Sequence, residues 1–95
     1  MTAHSFFDRH GNPISVMQWG EMFEDYEGRV VASDAVGARE IRTLWLGYVE
    51  PLDPTARLFG TALYRDGRYR FELDVYDTEA EALAGHARHL DRLRE

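Results

Sequence analysis

The segment RLFGTALYRDGRYRFELDVY, residues 57 to 76, decides the fold. It contains two runs of alternating apolar and polar residues, and an Asp66-Gly67 pair separates them. Such a pair is typical of a two-residue type I′ turn, because both of its positions need a positive φ. The segment therefore predicts an antiparallel β-hairpin in which Tyr64 lies opposite Tyr69.

This register divides the hairpin residues between two faces of a sheet. The face predicted to meet the core carries Leu58, Gly60, Ala62, Tyr64, Tyr69, Phe71, Leu73 and Val75. The reverse face would carry Phe59, Thr61 and Leu63 against Arg70, Glu72 and Asp74, so it would be half apolar and half charged.

Two more runs on the N-terminal side of the hairpin have the composition of strands. They cover residues 29–34 and 39–49, and AVGA separates them. The stretch EPLDPT, Glu50 to Thr55, contains two prolines that interrupt strand pairing, so it predicts the loop before the hairpin. Four sequential strands connected in this way predict an antiparallel meander.

A helix is predicted on each side of the strands, because each has a capping-box sequence. Ser15 and Gln18 begin the first helix, which covers about residues 15–27 and ends at Gly28. Thr78 and Glu81 begin the second, which covers about residues 78–94. Its predicted apolar stripe consists of Ala80, Leu83, Ala87 and Leu90, with Leu93 at the margin. The predicted fold is one α+β domain over residues 1–95. A short turn or hairpin is expected at its N-terminus, before the first helix.

Composition excludes several classes of function. The chain has no cysteine, so disulfides, thiolate catalysis and cysteine zinc sites are ruled out. It has no apolar run of membrane-spanning length, and the expected location is the cytoplasm. Its net charge of −6 disfavours direct contact with nucleic acid, which needs clustered cations. No cofactor is expected.

The ionisable side chains do not form a recognisable catalytic motif. His86 and His89 are three residues apart on a helix, which suits two metal ligands, but two surface histidines are the favoured interpretation. Asp8 and His10, with Glu21, could serve as an acid-base pair, but Asp8 to Asn12 is good turn chemistry. Ser5, Ser15 and Ser33 lack a nucleophile-elbow context. No catalytic or metal site is therefore predicted.

Two surfaces are candidates for binding a protein. The first is acidic and consists of Glu21, Glu24, Asp25 and Glu27. Such clusters are usually only solvated, although they can also imitate nucleic-acid phosphates for a basic nucleic-acid-binding protein. The second is an apolar patch on the outer sheet face, predicted because both faces of the strand at residues 39–49 carry large apolar groups. Its members are Leu44, Leu46, Tyr48, Phe59 and Leu63, and it predicts a homodimer if both helices cover the opposite face. The alternative has one helix on each face.

Three segments resemble a known family. FFDRHGNPIS followed by Trp19, then TLWLG, then YDTEAEALAGH occur in this order in small uncharacterised proteins of actinobacteria and their phages. The resemblance implies an actinobacterial or phage source, but no activity, cofactor or catalytic residue.

The sequence therefore predicts a small acidic, non-enzymatic protein-binding module of actinobacterial phage or host origin. A phage inhibitor of a host defence protein fits this description. Two alternatives are a virion or assembly accessory protein and, with less support, a small hydrolase that depends on histidine or a metal.

Overall fold

The computed structural model describes residues 5–49 and 57–95, and the predicted loop at Glu50 to Thr55 lies outside these ranges. The fold is α+β, as predicted. Its elements are α1 (Val16–Glu24), α2 (Tyr26–Arg29), β1 (Val30–Val36), β2 (Arg39–Trp45), β3 (Phe59–Arg65), β4 (Arg68–Tyr76) and α3 (Glu79–Arg94). Within the described ranges, no helix is long and apolar enough to cross a membrane.

The four strands form an antiparallel sheet in the order β1-β2-β3-β4, which confirms the meander. Asp66 and Gly67 have φ values of 52° and 79°, as the predicted turn requires. Tyr64 pairs with Tyr69, so the register beside the turn is also confirmed.

The prediction of which hairpin face meets the core is wrong. Two irregularities shift the β3–β4 pairing, and Gly60 lies opposite Val75 instead of Leu73. The buried residues of β3 include Phe59 and Thr61, which were both predicted on the outer face. Both irregularities add a residue to β4, whereas β3 is continuous, so they do not set the face of Phe59 and Thr61. Both faces of β3 carry apolar residues, and the alternating pattern alone does not reveal which face α3 covers.

Helix α3 covers this face, but through a different stripe from the predicted one. Its buried residues are Ala82, Gly85 and His86, whereas Leu83 is 46% exposed. A methyl group on Gly85 would overlap the ring and hydroxyl of Tyr76. The helix lies close to the sheet because Ala82 and Gly85 are small. The larger leucines of α3 do not determine which side of the helix contacts the sheet.

The N-terminal region differs from the prediction in one detail. The Ser15–Gln18 capping box is present, but α1 ends at Glu24, before Gly28. Asp25 is both the C-cap of α1 and the N-cap of α2, where its carboxylate accepts from the Gly28 N–H. A short hairpin precedes α1, as predicted, and Phe7 bridges Pro13 at its base.

Candidate functional site

A chain of hydrogen bonds under α3 is the most conspicuous chemical feature of the core. His86 Nε2 lies 2.8 Å from Asp34 Oδ2, and His86 Nδ1 lies 2.7 Å from Thr43 Oγ1. Thr43 Oγ1 is also 2.5 Å from Thr61 Oγ1, which is 3.0 Å from the Tyr76 hydroxyl. Carboxylate, imidazole and hydroxyl therefore follow one another as they do in hydrolase triads.

The hydroxyl at the end of that triad is closed to substrates. Thr43 and Thr61 have no exposed area, and His86 is 4% exposed. A nucleophile must reach its substrate, and Thr43 lies between the sheet and α3. Every buried side-chain nitrogen or oxygen in the described part of the chain has a hydrogen-bond partner. This network therefore fixes α3 on β1, β2 and β3, and it is a structural feature.

Tyr76 closes the other end of the network. Burial raises the pKa of its hydroxyl, while its hydrogen bond with Thr61 acts in the opposite direction and Asp74 adds to the increase. His89 Nε2 lies 3.3 Å from Asp74 Oδ2. His86 and His89 therefore contact different carboxylates, those of Asp34 and Asp74. Within residues 5–49 and 57–95, no group of three or more His, Asp or Glu side chains is placed to hold a metal ion.

The segment from Asp8 to Asn12 is the structural turn that its composition predicts. The Asp8 carboxylate accepts from the backbone N–H groups of His10 and Asn12, each at 2.9 Å. Burial acts to raise the pKa of Asp8, but these hydrogen bonds outweigh it and the pKa is lowered. The His10 side chain is exposed, and Gly11 has a φ of 86°.

An open apolar groove lies where β2 ends. Its five lining residues come from the N-terminal hairpin, α1 and the end of β2, and they are Phe6, Trp19, Phe23, Leu46 and Tyr48. Its volume is 450 Å³, and no polar group is exposed along its lining. Grooves of this kind accept apolar side chains of a partner.

Aromatic stacking and one hydrogen bond hold the groove open. The Phe6 ring lies 5.0 Å from Trp19 and 5.7 Å from Tyr48, and Trp19 lies 4.6 Å from Phe23, between ring centroids. The Trp19 indole N–H donates to the Leu46 carbonyl at 2.8 Å. Since each of the four rings contacts another and all five lining side chains are half-buried, the groove is pre-formed.

Helix α1 also exposes apolar residues that do not line the groove. Helix α1 has no buried residue, and its exposed fractions are 57% at Val16, 75% at Met17 and 36% at Met22. Methionine side chains adapt their shape to different partners. These three side chains therefore expose apolar surface to solvent.

The structure separates the residues of the predicted apolar patch. Phe59 has no exposed area, and Leu63 lies on the same α3-covered face, so neither can contribute to an outer patch. Leu44 is only 9% exposed. Leu46 and Tyr48 do lie together, but as part of the groove. The predicted patch is wrong as a surface because Phe59 and Leu63 lie on the face of β3 that α3 covers.

All four predicted acidic residues are exposed, and they lie on or directly after α1. Glu21 and Glu24 belong to α1, Asp25 caps it and Glu27 is in α2. Helical spacing places Glu21 on the side of α1 opposite Trp19 and Phe23. The helix therefore presents an apolar face to the groove and an acidic face to solvent.

Three groove residues, Phe6, Trp19 and Phe23, were not predicted as part of a binding surface. An apolar stripe on a helix usually faces the core, and Trp19 and Phe23 do pack against the core while they line the groove. The available signal was the surplus of aromatic residues before residue 27, which exceeds what one short helix can bury.

Comparisons of the chain with protein-family models, with curated proteins and with solved structures give no match.

Proposed function

We propose that this chain is a small protein-binding module that captures an amphipathic, basic segment of another protein. The observation that carries the proposal is the pre-formed apolar groove beside an acidic helix. The groove supplies a place for large apolar side chains. The acidic residues on the outer side of α1 and directly after it attract a basic partner through their combined field, and they are Glu21, Glu24, Asp25 and Glu27.

The composition of the groove supports this proposal. Tryptophan and tyrosine are enriched among the residues that contribute most to binding energy at protein interfaces. Trp19 and Tyr48 occupy the two sides of the groove. A volume of 450 Å³ suits two or three apolar side chains, and this is the number an amphipathic segment presents over about two turns.

The charge of the helix narrows the choice of partner. Between Arg9 and Arg29 the sequence has no lysine or arginine, and the guanidinium of Arg29 lies over the Phe23 ring, 3.5 Å from its centroid. The outer side of α1 therefore attracts cations. A basic protein, such as one that itself binds nucleic acid, has the complementary charge.

We propose a non-enzymatic role in the cytoplasm, since the closed Thr43 hydroxyl gives no support to a hydrolase. The sequence resemblance favours a phage or host source, and inhibition of a host protein is the specific role that best suits an acidic binding module. A virion or assembly accessory protein would use the same groove.

Binding of defined peptides tests this proposal. The probe is a short fluorescent helical peptide with a leucine stripe and lysines beside it. One control peptide replaces leucine by serine and a second replaces lysine by glutamate. We expect the Leu/Lys peptide to bind more tightly than either control, because only this peptide matches both the apolar groove and the acidic helix.

A matched pair of variants locates the binding site. Leu46→Asp places a charge inside the groove, whereas Leu83→Asp makes the same change at an exposed leucine of α3 that does not line it. We expect only Leu46→Asp to weaken peptide binding by roughly ten-fold or more. Equal binding by the Ser/Lys peptide, or no effect of Leu46→Asp, would reject the groove as the binding site.

A further inference from the structure

Three arginines lie side by side at the end of the sheet away from the groove. Arg39 pairs with Arg65 across β2 and β3, and Arg65 pairs with Arg68 across the hairpin turn. Like charges directly opposite on neighbouring strands destabilise a sheet. This arginine row (Arg39, Arg65 and Arg68) therefore has an energetic cost in a chain whose net charge is negative.

The Arg39 guanidinium donates to the Leu93 carbonyl at 3.2 Å, but no described acidic side chain neutralises the row. Among residues 5–49 and 57–95, no ion pair involves Arg39, Arg65 or Arg68. Glu40 follows Arg39 directly, but its carboxylate accepts from Arg42 and Ser33. The Arg42 hydrogen bond, the largest effect, lowers the pKa of Glu40. The carboxylate next to Arg39 in the chain is thus already engaged.

The row borders two shallow depressions that meet at Arg65. The first has a volume of 630 Å³, and its lining consists of Arg65, Asp66, Arg68, Tyr69 and Arg70. The second has a volume of 570 Å³ and lies between the turn after β1 and the row. The Asp66 N–H donates to the Ala38 carbonyl at 2.9 Å, which joins the two turns into one surface.

An exposed aromatic ring lines the first depression together with Arg65, Arg68 and Arg70. Tyr69 is 60% exposed, and its ring lies 5.8 Å from Tyr64 in an edge-on arrangement that fixes its position. Guanidinium groups bind phosphate in a bidentate manner, and an exposed ring provides a surface on which a base can stack. Acidic peptides would use the cations but would gain little from the ring.

We propose that the first depression, which Arg65, Arg68, Arg70 and Tyr69 line, binds single-stranded nucleic acid. The phosphates contact the three guanidinium groups, and a base stacks on Tyr69. The net charge of −6 disfavours such a ligand only as an average over the chain. The acidic residues of α1 lie at the opposite end of the strands, so the two ends have opposite charge.

Fluorescence anisotropy with a labelled oligothymidylate at low salt tests this site. Arg65→Gln/Arg68→Gln is expected to weaken binding roughly ten-fold or more, since hydrogen bonds to charged groups are strong. The slope of log affinity against log salt should become shallower by about 0.7 for each phosphate that the variant no longer binds. Arg88→Gln is the matched control, because Arg88 is an exposed cation on α3 outside both depressions.

Changes at Tyr69 separate nucleic acid from other anions. Tyr69→Leu should weaken oligonucleotide binding by about five-fold or more, while Tyr69→Phe keeps the ring and the affinity. Four outcomes would overturn the proposal. The first is no binding at low salt, and the second is an equal loss of affinity for Arg88→Gln and Arg65→Gln/Arg68→Gln. The third is no effect of Tyr69→Leu. The fourth is displacement of the oligothymidylate by a glutamate peptide or by tripolyphosphate at equal charge.

Discussion

Thr43 shows at the residue scale how the core depends on one hydroxyl group. Its Oγ1 lies between His86 Nδ1 and Thr61 Oγ1, at 2.7 and 2.5 Å. If His86 Nε2 donates to Asp34, Nδ1 of the neutral imidazole accepts from Thr43. Thr43 then accepts from Thr61, and Thr61 accepts from Tyr76. Each hydroxyl proton is used once, so removal of the Thr43 hydroxyl leaves His86 Nδ1 without a donor and the Thr61 proton without an acceptor.

Thr43→Val is therefore expected to destabilise the protein by about 2 kcal/mol, because it leaves buried polar groups unpaired. Urea unfolding measures this change. Ile41→Val, on the same strand and face, removes a single methylene and should cost about 1 kcal/mol. In a cycle with Thr61→Val the two threonine changes should be non-additive. Additive losses no larger than that of Ile41→Val would contradict a linked network.

Tyr76 makes stability sensitive to alkaline pH. Burial raises the pKa of its hydroxyl above the ordinary value of 10.0, although the Thr61 hydrogen bond opposes this. The folded state thus keeps a proton that the unfolded chain releases. The resulting stability is present below pH 10 and is lost as pH rises through the folded pKa.

Urea unfolding at neutral pH and at a pH above the folded pKa of Tyr76 should therefore show a larger loss for the native chain than for Tyr76→Phe. Tyr64→Phe is the comparison, because burial also raises the pKa of Tyr64. Between neutral and alkaline pH, Tyr76→Phe and Tyr64→Phe should each lose less stability than the native chain. The variant with both substitutions should lose the least. An identical alkaline loss in the native chain and Tyr76→Phe would rule out this contribution from Tyr76.

At the scale of elements, the two helices use glycine in opposite ways. In α3, a methyl group on Gly85 would overlap Tyr76, whereas a methyl group on Gly20 of α1 would meet no heavy atom within 4 Å. Glycine costs about 1 kcal/mol relative to alanine inside a helix. The same substitution is therefore expected to have opposite signs at the two positions.

Gly20→Ala should stabilise the protein by up to about 1 kcal/mol. Gly85→Ala should destabilise it by about 1 to 3 kcal/mol, because overpacking outweighs the gain in helix propensity. Thermal or urea unfolding of both variants measures the difference. Stabilisation by Gly85→Ala would mean that α3 does not lie this close to β4.

The elements themselves could be predicted from sequence because their signals are local. The Asp66-Gly67 turn and the Ser15 cap depend on residues within a few positions of each other. The core face of the hairpin could not, since both faces of β3 carry apolar residues and only the packing of α3 on the sheet decides between them. The contact face of α3 also escaped prediction, because His86 becomes a core residue only when Asp34 and Thr43 approach it.

The groove belongs to the whole molecule, and this is why no local sequence signal identifies it. Phe6, Trp19 and Leu46 come from three separate parts of the chain, and each alone is an ordinary apolar residue. The distribution of charge is also a property of the whole molecule. The molecule measures 48 × 24 × 21 Å, with the acidic helix at the groove end of the strands and the arginine row at the other end. The net charge conceals this separation.

The corrected position of Phe59 and Leu63 changes the expected oligomeric state. Helix α3 covers the face on which these two residues lie, so the predicted homodimer interface is left without its main residues. The groove is the apolar surface that could still pair with a second copy. A two-fold pairing through it would bring the two acidic helices together, and their carboxylates would repel one another.

We therefore expect the isolated chain to be a monomer of 11.0 kDa in light scattering at moderate salt. Leu46→Asp should leave this mass unchanged, because the groove is free in the isolated protein. High salt screens the repulsion between the acidic helices, so any self-association should appear there first. A mass of about twice the monomer at low salt, reduced by Leu46→Asp, would show that the groove binds a second copy, and the basic partner would then have to compete with it.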